Sequence, residues 1–169
     1  GIEGLVNEFV AAMESYPEIE FIVTKSNSDR GGAKVNSILD EADARVPNVH
    51  VFASLGVRRY LSLLRHALFV LGNSSSGIIE APIFQIPTIN IGDRQRGRLR
   101  AASVIDCASD QASIERAIET ALSDEFREKC RSVRSPYGDG LAAPRIAKKC
   151  LEVLLSDIDL KKRFYDVEF

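Results

Sequence analysis

The run Ala67-Leu-Phe-Val-Leu71, followed at once by Gly72-Asn-Ser-Ser-Ser-Gly77, decides how this chain folds. Five apolar residues in a row are too few for a helix and show no polar alternation. They predict a strand buried on both faces and closed by Gly72. The serine loop then leads into Gly77 to about Phe84, which reads as a helix. Strand, short loop and helix in that order form the repeating unit of a parallel sheet.

Outward from this segment the same alternation continues. Upstream, Ile2, Leu5, Val6, Phe9, Val10 and Met13 recur at helical spacing, ended by Tyr16-Pro17. Glu20 to Lys25 reads as a short strand, and Asn27 to Gly32 as a turn. Val35, Ile38, Leu39 and Ala42 mark the next helix, Val49 to Ala53 a second strand, and Gly56 opens a helix carrying Tyr60, Leu61 and Leu64. Downstream, Pro87 to Ile91 and Ser103 to Asp106 read as strands on either side of an arginine-rich loop. The last third is helical: Ile114, Ala117, Ile118, Ala121 and Leu122 form one stripe, and Ile146, Cys150, Val153 and Leu154 another, with the turn-rich Ser135-Pro-Tyr-Gly-Asp-Gly140 between them. The expected fold is α/β, a Rossmann-like parallel sheet with helices on both faces. One domain is expected over residues 1–156, followed by a more charged tail from Asp157.

With 169 residues and 45% hydrophobic content, the chain is long enough for one good core and short for two. Its 22 basic and 24 acidic residues make no basic field, which argues against nucleic acid as a partner. Cys107, Cys130 and Cys150 are odd in number and widely spaced, which points to a reducing compartment. No apolar run approaches membrane-spanning length, and no basic start precedes an apolar stretch. Together these features imply a soluble, cytoplasmic protein with no membrane partner. No cluster of residues calls for a metal or another cofactor.

The chemistry concentrates in two loops. In a doubly wound sheet, a loop between a strand and the next helix lies where ligands bind, and the first N–H groups of that helix attract anions. Ser74, Ser75 and Ser76 add hydroxyl donors without bulk. The glycine spacing is that of a phosphate-binding P-loop, but Ile78 and Ile79 stand where that motif needs Lys and Ser or Thr. It is not a Gly-x-Gly-x-x-Gly fingerprint either, so a pyrophosphate held by serines and amides is the remaining reading, with simple helix capping as its alternative. Glu80 follows the serines by four to six residues and misses the three-residue spacing of a capping box. Its carboxylate accepts and cannot donate, so it suits the two hydroxyls of a ribose. A favourable contact with the helix dipole is the competing account.

The second loop, Asn90-Ile-Gly-Asp-Arg-Gln-Arg-Gly-Arg98, sets arginines on alternate positions directly after the next strand. The planar fork of Arg94 or Arg98 would complete a diphosphate site, whereas Arg96 reads better as solvated or ion-paired. Asn73, Ser76 and Gly77 are further candidates on the serine loop. Asn27 and Asp29 are ordinary turn residues on local grounds. His50, His66, Lys25, Tyr60 and Tyr137 read as structural or surface groups, and Lys161, Lys162 and Arg163 as a solvated helix face.

From residue 1 to about 150 the chain resembles the hydrolysing UDP-N-acetylglucosamine 2-epimerases, the bacterial enzymes that start sialic-acid synthesis. The resemblance rests on TKSNSDRGG (24–32), SLGVRRYLSLL (54–64), GNSSSGIIEAP (72–82), PTINIGDRQRGR (87–98), SVIDC (103–107) and SPYGDG (135–140), in that order. It implies the C-terminal, UDP-binding half of a glycosyltransferase-B fold, lacking that half's first strand. By motif, Ser74 and Ser75 would bind the diphosphate, Glu80 the ribose, Arg94 the phosphate region, and the backbone near Leu55 the uracil. Asn27 falls in a UDP-contacting segment, which displaces the simple-turn reading. The implied substrate is UDP-N-acetylglucosamine, converted through an unsaturated 2-acetamidoglucal to N-acetylmannosamine and UDP. The resemblance also implies an N-terminal Rossmann-like domain as partner, holding the catalytic carboxylates, and a homo-oligomer at full length. The fragment alone is then expected to be inactive, and its tail to cross to the N-terminal domain. The alternatives are half of a UDP-sugar glycosyltransferase and a non-catalytic binding module.

Overall fold

The computed structural model describes residues 2–27, 31–156 and 161. The chain divides into two compact units, Gly1–Pro136 and Tyr137–Phe169, so the second begins upstream of the Asp157 boundary read from charge. Asp29, Lys162, Arg163 and most of the charged tail lie outside the described residues.

The first unit alternates helix and strand as expected through β4, after which β5 follows without a helix: α1 Ile2–Glu14, β1 Phe21–Thr24, α2 Gly32–Arg45, β2 Val49–Phe52, α3 Gly56–Leu64, β3 Val70–Gly72, α4 Ser76–Ile79, β4 Thr88–Ile91, β5 Val104–Cys107, α5 Gln111–Leu122 and α6 Asp124–Arg131. Every strand pairing is parallel: β1 with β2, β3 with β4, and β4 with β5. The strands fall into two sheets, ordered β1-β2 and β3-β4-β5. Among the described residues, then, β1 and β3 each keep one edge without a strand partner.

One apolar core joins the sheets on the α1 side. Val10 and Met13 of α1 pack with Phe21, Ala42, Val46 and Val49, while Ala12 packs with Ile89, Ile114, Ala117, Ile118 and Ala121. Phe69 and Leu71 touch both clusters, and the rings of Phe21 and Phe69 lie 6.2 Å apart. Asn48, almost fully buried, donates its side-chain amide to the carbonyls of Tyr16 and Ile19, each at 2.9 Å. It thereby closes the turn between α1 and β1, reinforcing the Ile19 amide on the Tyr16 carbonyl and supplying a donor to the Ile19 carbonyl. On β4, Ile89 faces α5 whereas Thr88 meets Gly77 of α4, so helices cover both faces of the second sheet.

Two expectations need correction. The Ala67–Leu71 run forms a strand only from Val70, and β3 is half-buried rather than fully buried. The ladder starts when Val70 donates to the Pro87 carbonyl. Extending it backward would use Pro87, which has no N–H, and the far edge of β3 is unpaired. The helix expected through Phe84 also breaks: α4 has four residues and is followed by a 3-10 turn, Ala81–Phe84. Pro82 cannot donate to the preceding turn, so the α-helical ladder stops there.

In the second unit, α7 spans Ala142–Leu154, and none of its residues is buried, including the apolar Ile146, Val153 and Leu154. Asp139 receives the Leu141 amide at 3.0 Å and the Arg145 guanidinium at 2.7 Å, and these bonds hold its carboxyl below the ordinary range.

Candidate functional site

The parallel register Gly72↔Asn90 sends the serine loop and the arginine loop out of the same end of adjacent strands. Side chains then tie them together. Gln95 donates its amide to the Asn73 carbonyl at 2.7 Å, and Arg94 reaches the Asn73 side-chain oxygen at 3.4 Å. Arg98 and Arg96 are exposed, with backbone bonds to Gln95 and Asp93.

Within the serine loop the three hydroxyls differ. Ser74 accepts the amide of Ser76 at 3.3 Å, and Ser76 exchanges a short hydrogen bond with Tyr60 of α3. Ser75 occupies the N-cap position of α4 but makes no side-chain capping bond. Capping therefore does not account for Ser75, whose hydroxyl has no partner among the described residues. Because α4 has only four residues, its dipole is small, and local hydroxyls, amides and Arg94 must supply most of the attraction for an anion.

Close approach fixes this loop onto the sheet. The Thr88 hydroxyl donates to the Gly77 carbonyl at 2.7 Å, and a Cβ at Gly77 would lie 2.7 Å from the Thr88 methyl. Only glycine fits. One turn beyond, the Oε2 atom of Glu80 is buried without a hydrogen-bond partner among the described residues. Tyr60 lies near enough that Glu80, after burial itself, helps to raise the Tyr60 pKa. The residue read as packing thus hydrogen-bonds the serine loop at Ser76.

Behind the arginine loop runs a polar chain. Asn90 donates to Asp106 at 2.7 Å, Asp106 pairs with Arg100, and Arg100 donates to the Gln95 carbonyl at 3.1 Å. Gln95 itself is only 3% exposed.

The other candidates sit apart. Asn27 is exposed beyond β1, where its carbonyl would lie 2.2 Å from a Cβ at Gly32, and the preceding Ser26 is clasped by Asn36. Leu55, half-buried, precedes α3, the helix that carries Tyr60. Among the described residues, neither Asn27 nor Leu55 makes a hydrogen bond to the serine loop. His50 does have a carboxylate partner, Glu20 at 2.7 Å, which sequence spacing does not reveal because strand pairing creates it. Among the described residues, no three His, Cys, Asp or Glu side chains gather as a metal site, and no helix is long and apolar enough to cross a membrane.

This arrangement of parallel strands and loops has relatives. A GDP/UDP-N,N'-diacetylbacillosamine 2-epimerase (hydrolyzing) from Campylobacter jejuni is 36% identical over 163 residues, covering 96% of this chain and 42% of that protein. The polysialic acid biosynthesis protein P7 of Escherichia coli is 34% identical, over 96% of this chain and 41% of its own. This chain therefore spans about two-fifths of the length of the curated relatives it matches. The crystal structure of UDP-GlcNAc 2-epimerase from Neisseria meningitidis bound to UDP-GlcNAc superimposes with a TM-score of 0.68 at 21% identity, covering 90% of this chain and 41% of that one. The fold is thus the parallel α/β fold of these enzymes. The sequence pattern of UDP-N-acetylglucosamine 2-epimerases matches residues 3–151, and the chain belongs to that family.

Proposed function

We propose that this chain binds the UDP moiety of UDP-N-acetylglucosamine within a hydrolysing 2-epimerase that releases N-acetylmannosamine and UDP. The observation that carries the reading is the buried, unpartnered carboxylate oxygen of Glu80, one turn past the serine loop. A buried carboxylate without a donor is costly, and a ribose diol offers donors to it. The rest of the assignment follows the two loops: Ser74 and Ser75 on the diphosphate, Arg94 beside it, Leu55 and Asn27 toward the nucleoside. Asn73, Gly77 and Arg98 shape or border the same place. Ser76 takes a smaller part, since its hydroxyl is engaged by Tyr60.

In this reading the sugar is activated by loss of UDP, and the acid and base groups of that elimination lie in a separate N-terminal domain. Residues 1–156 form the nucleotide-binding part and 157–169 lead toward that domain. The unpaired edges of β1 and β3 support a sheet completed by one more parallel strand. The whole protein is then a cytoplasmic homo-oligomer of the sialic-acid pathway, a placement that the name of the E. coli relative supports.

The C. jejuni relative favours a second reading of the sugar, the diacetamido sugar N,N'-diacetylbacillosamine in place of N-acetylglucosamine. The test is product analysis with the full-length protein and each UDP-sugar. Free N-acetylmannosamine with UDP supports the first reading, and turnover of the diacetamido sugar alone supports the second. Transfer of the sugar to an acceptor would point to a glycosyltransferase, and binding without turnover to a binding module.

A further inference from the structure

We propose that Gln95 and Tyr60 are positioning residues that hold the serine loop in its ligand-binding shape from opposite ends. The proposal rests on the reading of that loop as the diphosphate site. Gln95 fixes the start: its amide nitrogen donates to the Asn73 carbonyl at 2.7 Å. The amide can face only one way, because a flipped side chain would set its oxygen against that carbonyl. Its own backbone carbonyl is held by Arg100, which pairs with Asp106, so Gln95 is braced from behind. Tyr60 fixes the far end by its hydrogen bond to the Ser76 hydroxyl.

Between the two pins lie Ser74 and Ser75. The Ser75 hydroxyl has no protein partner among the described residues, and Ser74 makes only a long bond to the Ser76 amide. The four-residue α4 is too short to order this loop by its own ladder. Two side chains from the neighbouring α3 and the arginine loop supply the order instead. A loop ordered beforehand loses less conformational freedom when an anion binds, and the affinity gained is phosphate-dependent.

The experiment compares UDP and uridine binding to the wild-type chain, Gln95→Leu and Tyr60→Phe, with amide exchange at Ile89 as a check on the core. Each substitution is expected to weaken UDP by about tenfold, the loss of one well-placed hydrogen bond, and to leave uridine unchanged. Exchange at Ile89 should stay as in wild type while Ser76 and Gly77 exchange faster. Variants that bind UDP as tightly as wild type overturn the proposal. Equal losses for UDP and uridine, with faster exchange at Ile89, also overturn it, since the role would then be general stability. A wild-type chain that binds no UDP sinks the diphosphate reading and this proposal with it, whereas tight wild-type binding with indifferent variants sinks this proposal alone.

Discussion

Thr88 and Gly77 meet at van der Waals limits: the hydroxyl of one donates to the carbonyl of the other at 2.7 Å, while its methyl occupies the place a Cβ would need. The serine loop is thereby set directly on the central strand of the β3-β4-β5 sheet. Gly77→Ala should cost about 1–3 kcal/mol of stability through overpacking. Thr88→Ser, which removes the methyl and keeps the hydroxyl, should recover part of that loss in the double variant. Urea denaturation of the four proteins checks this, and purely additive losses would count against the contact.

Asn48 is the second structural key. Its side-chain amide serves two carbonyls of the turn between α1 and β1 from a nearly closed site. Asn48→Ala removes that donor from both carbonyls, leaving the Tyr16 carbonyl with the Ile19 amide alone, and should lower stability by about 1–3 kcal/mol. An unchanged urea midpoint would show that water replaces the amide at no cost.

At the start of α5, the Asp110 carboxylate accepts the Ser113 amide at 2.9 Å, and the bonds from Ser113 hold its pKa below the ordinary 3.8. A group with a depressed folded pKa stabilises the fold above its unfolded value, and that contribution disappears as pH falls through the folded value. The Tm difference between wild type and Asp110→Ala should therefore be complete at neutral pH and shrink as the solution is taken below 3.8. A difference that stays constant into that acid range contradicts the capping role.

The three thiols should react in a fixed order. Cys150 is exposed, Cys130 is buried, and burial, then Asp106 and Asp110, push the Cys107 thiol up to about 11. At pH 8 the Cys107 thiolate fraction is then roughly one in a thousand. Brief alkylation of the native chain, read by mass spectrometry, should label Cys150 first. Early labelling of Cys107 would show that its pocket opens to solvent.

Much of this fold is legible in the sequence, for identifiable reasons. Val10 and Met13 of α1 and Ile114, Ala117, Ile118 and Ala121 of α5 keep helical spacing because one face of each helix is buried. The shortness of β3 is not legible, since its start depends on Pro87 standing immediately before the partner strand β4. Pro82 breaking the helix after α4 could have been foreseen from local chemistry. The separation of α6 from α5 carries a weaker signal, Ser123 accepting the Phe126 amide. Of the proposed site, Ser74, Ser75, Glu80 and Arg94 are singled out in the sequence by residue type and position. Gln95 and Tyr60 are not, because their partners Asn73 and Ser76 are 22 and 16 residues away and only the folded chain brings them together.

The central claim is a UDP site on the serine and arginine loops, and calorimetric titration of UDP into this chain tests it most directly. The account predicts binding that is selective for UDP over ADP and is weakened by about tenfold or more in both Ser75→Ala and Arg94→Ala. A folded chain that ignores UDP, or that binds UDP and ADP alike with both substitutions silent, would contradict it.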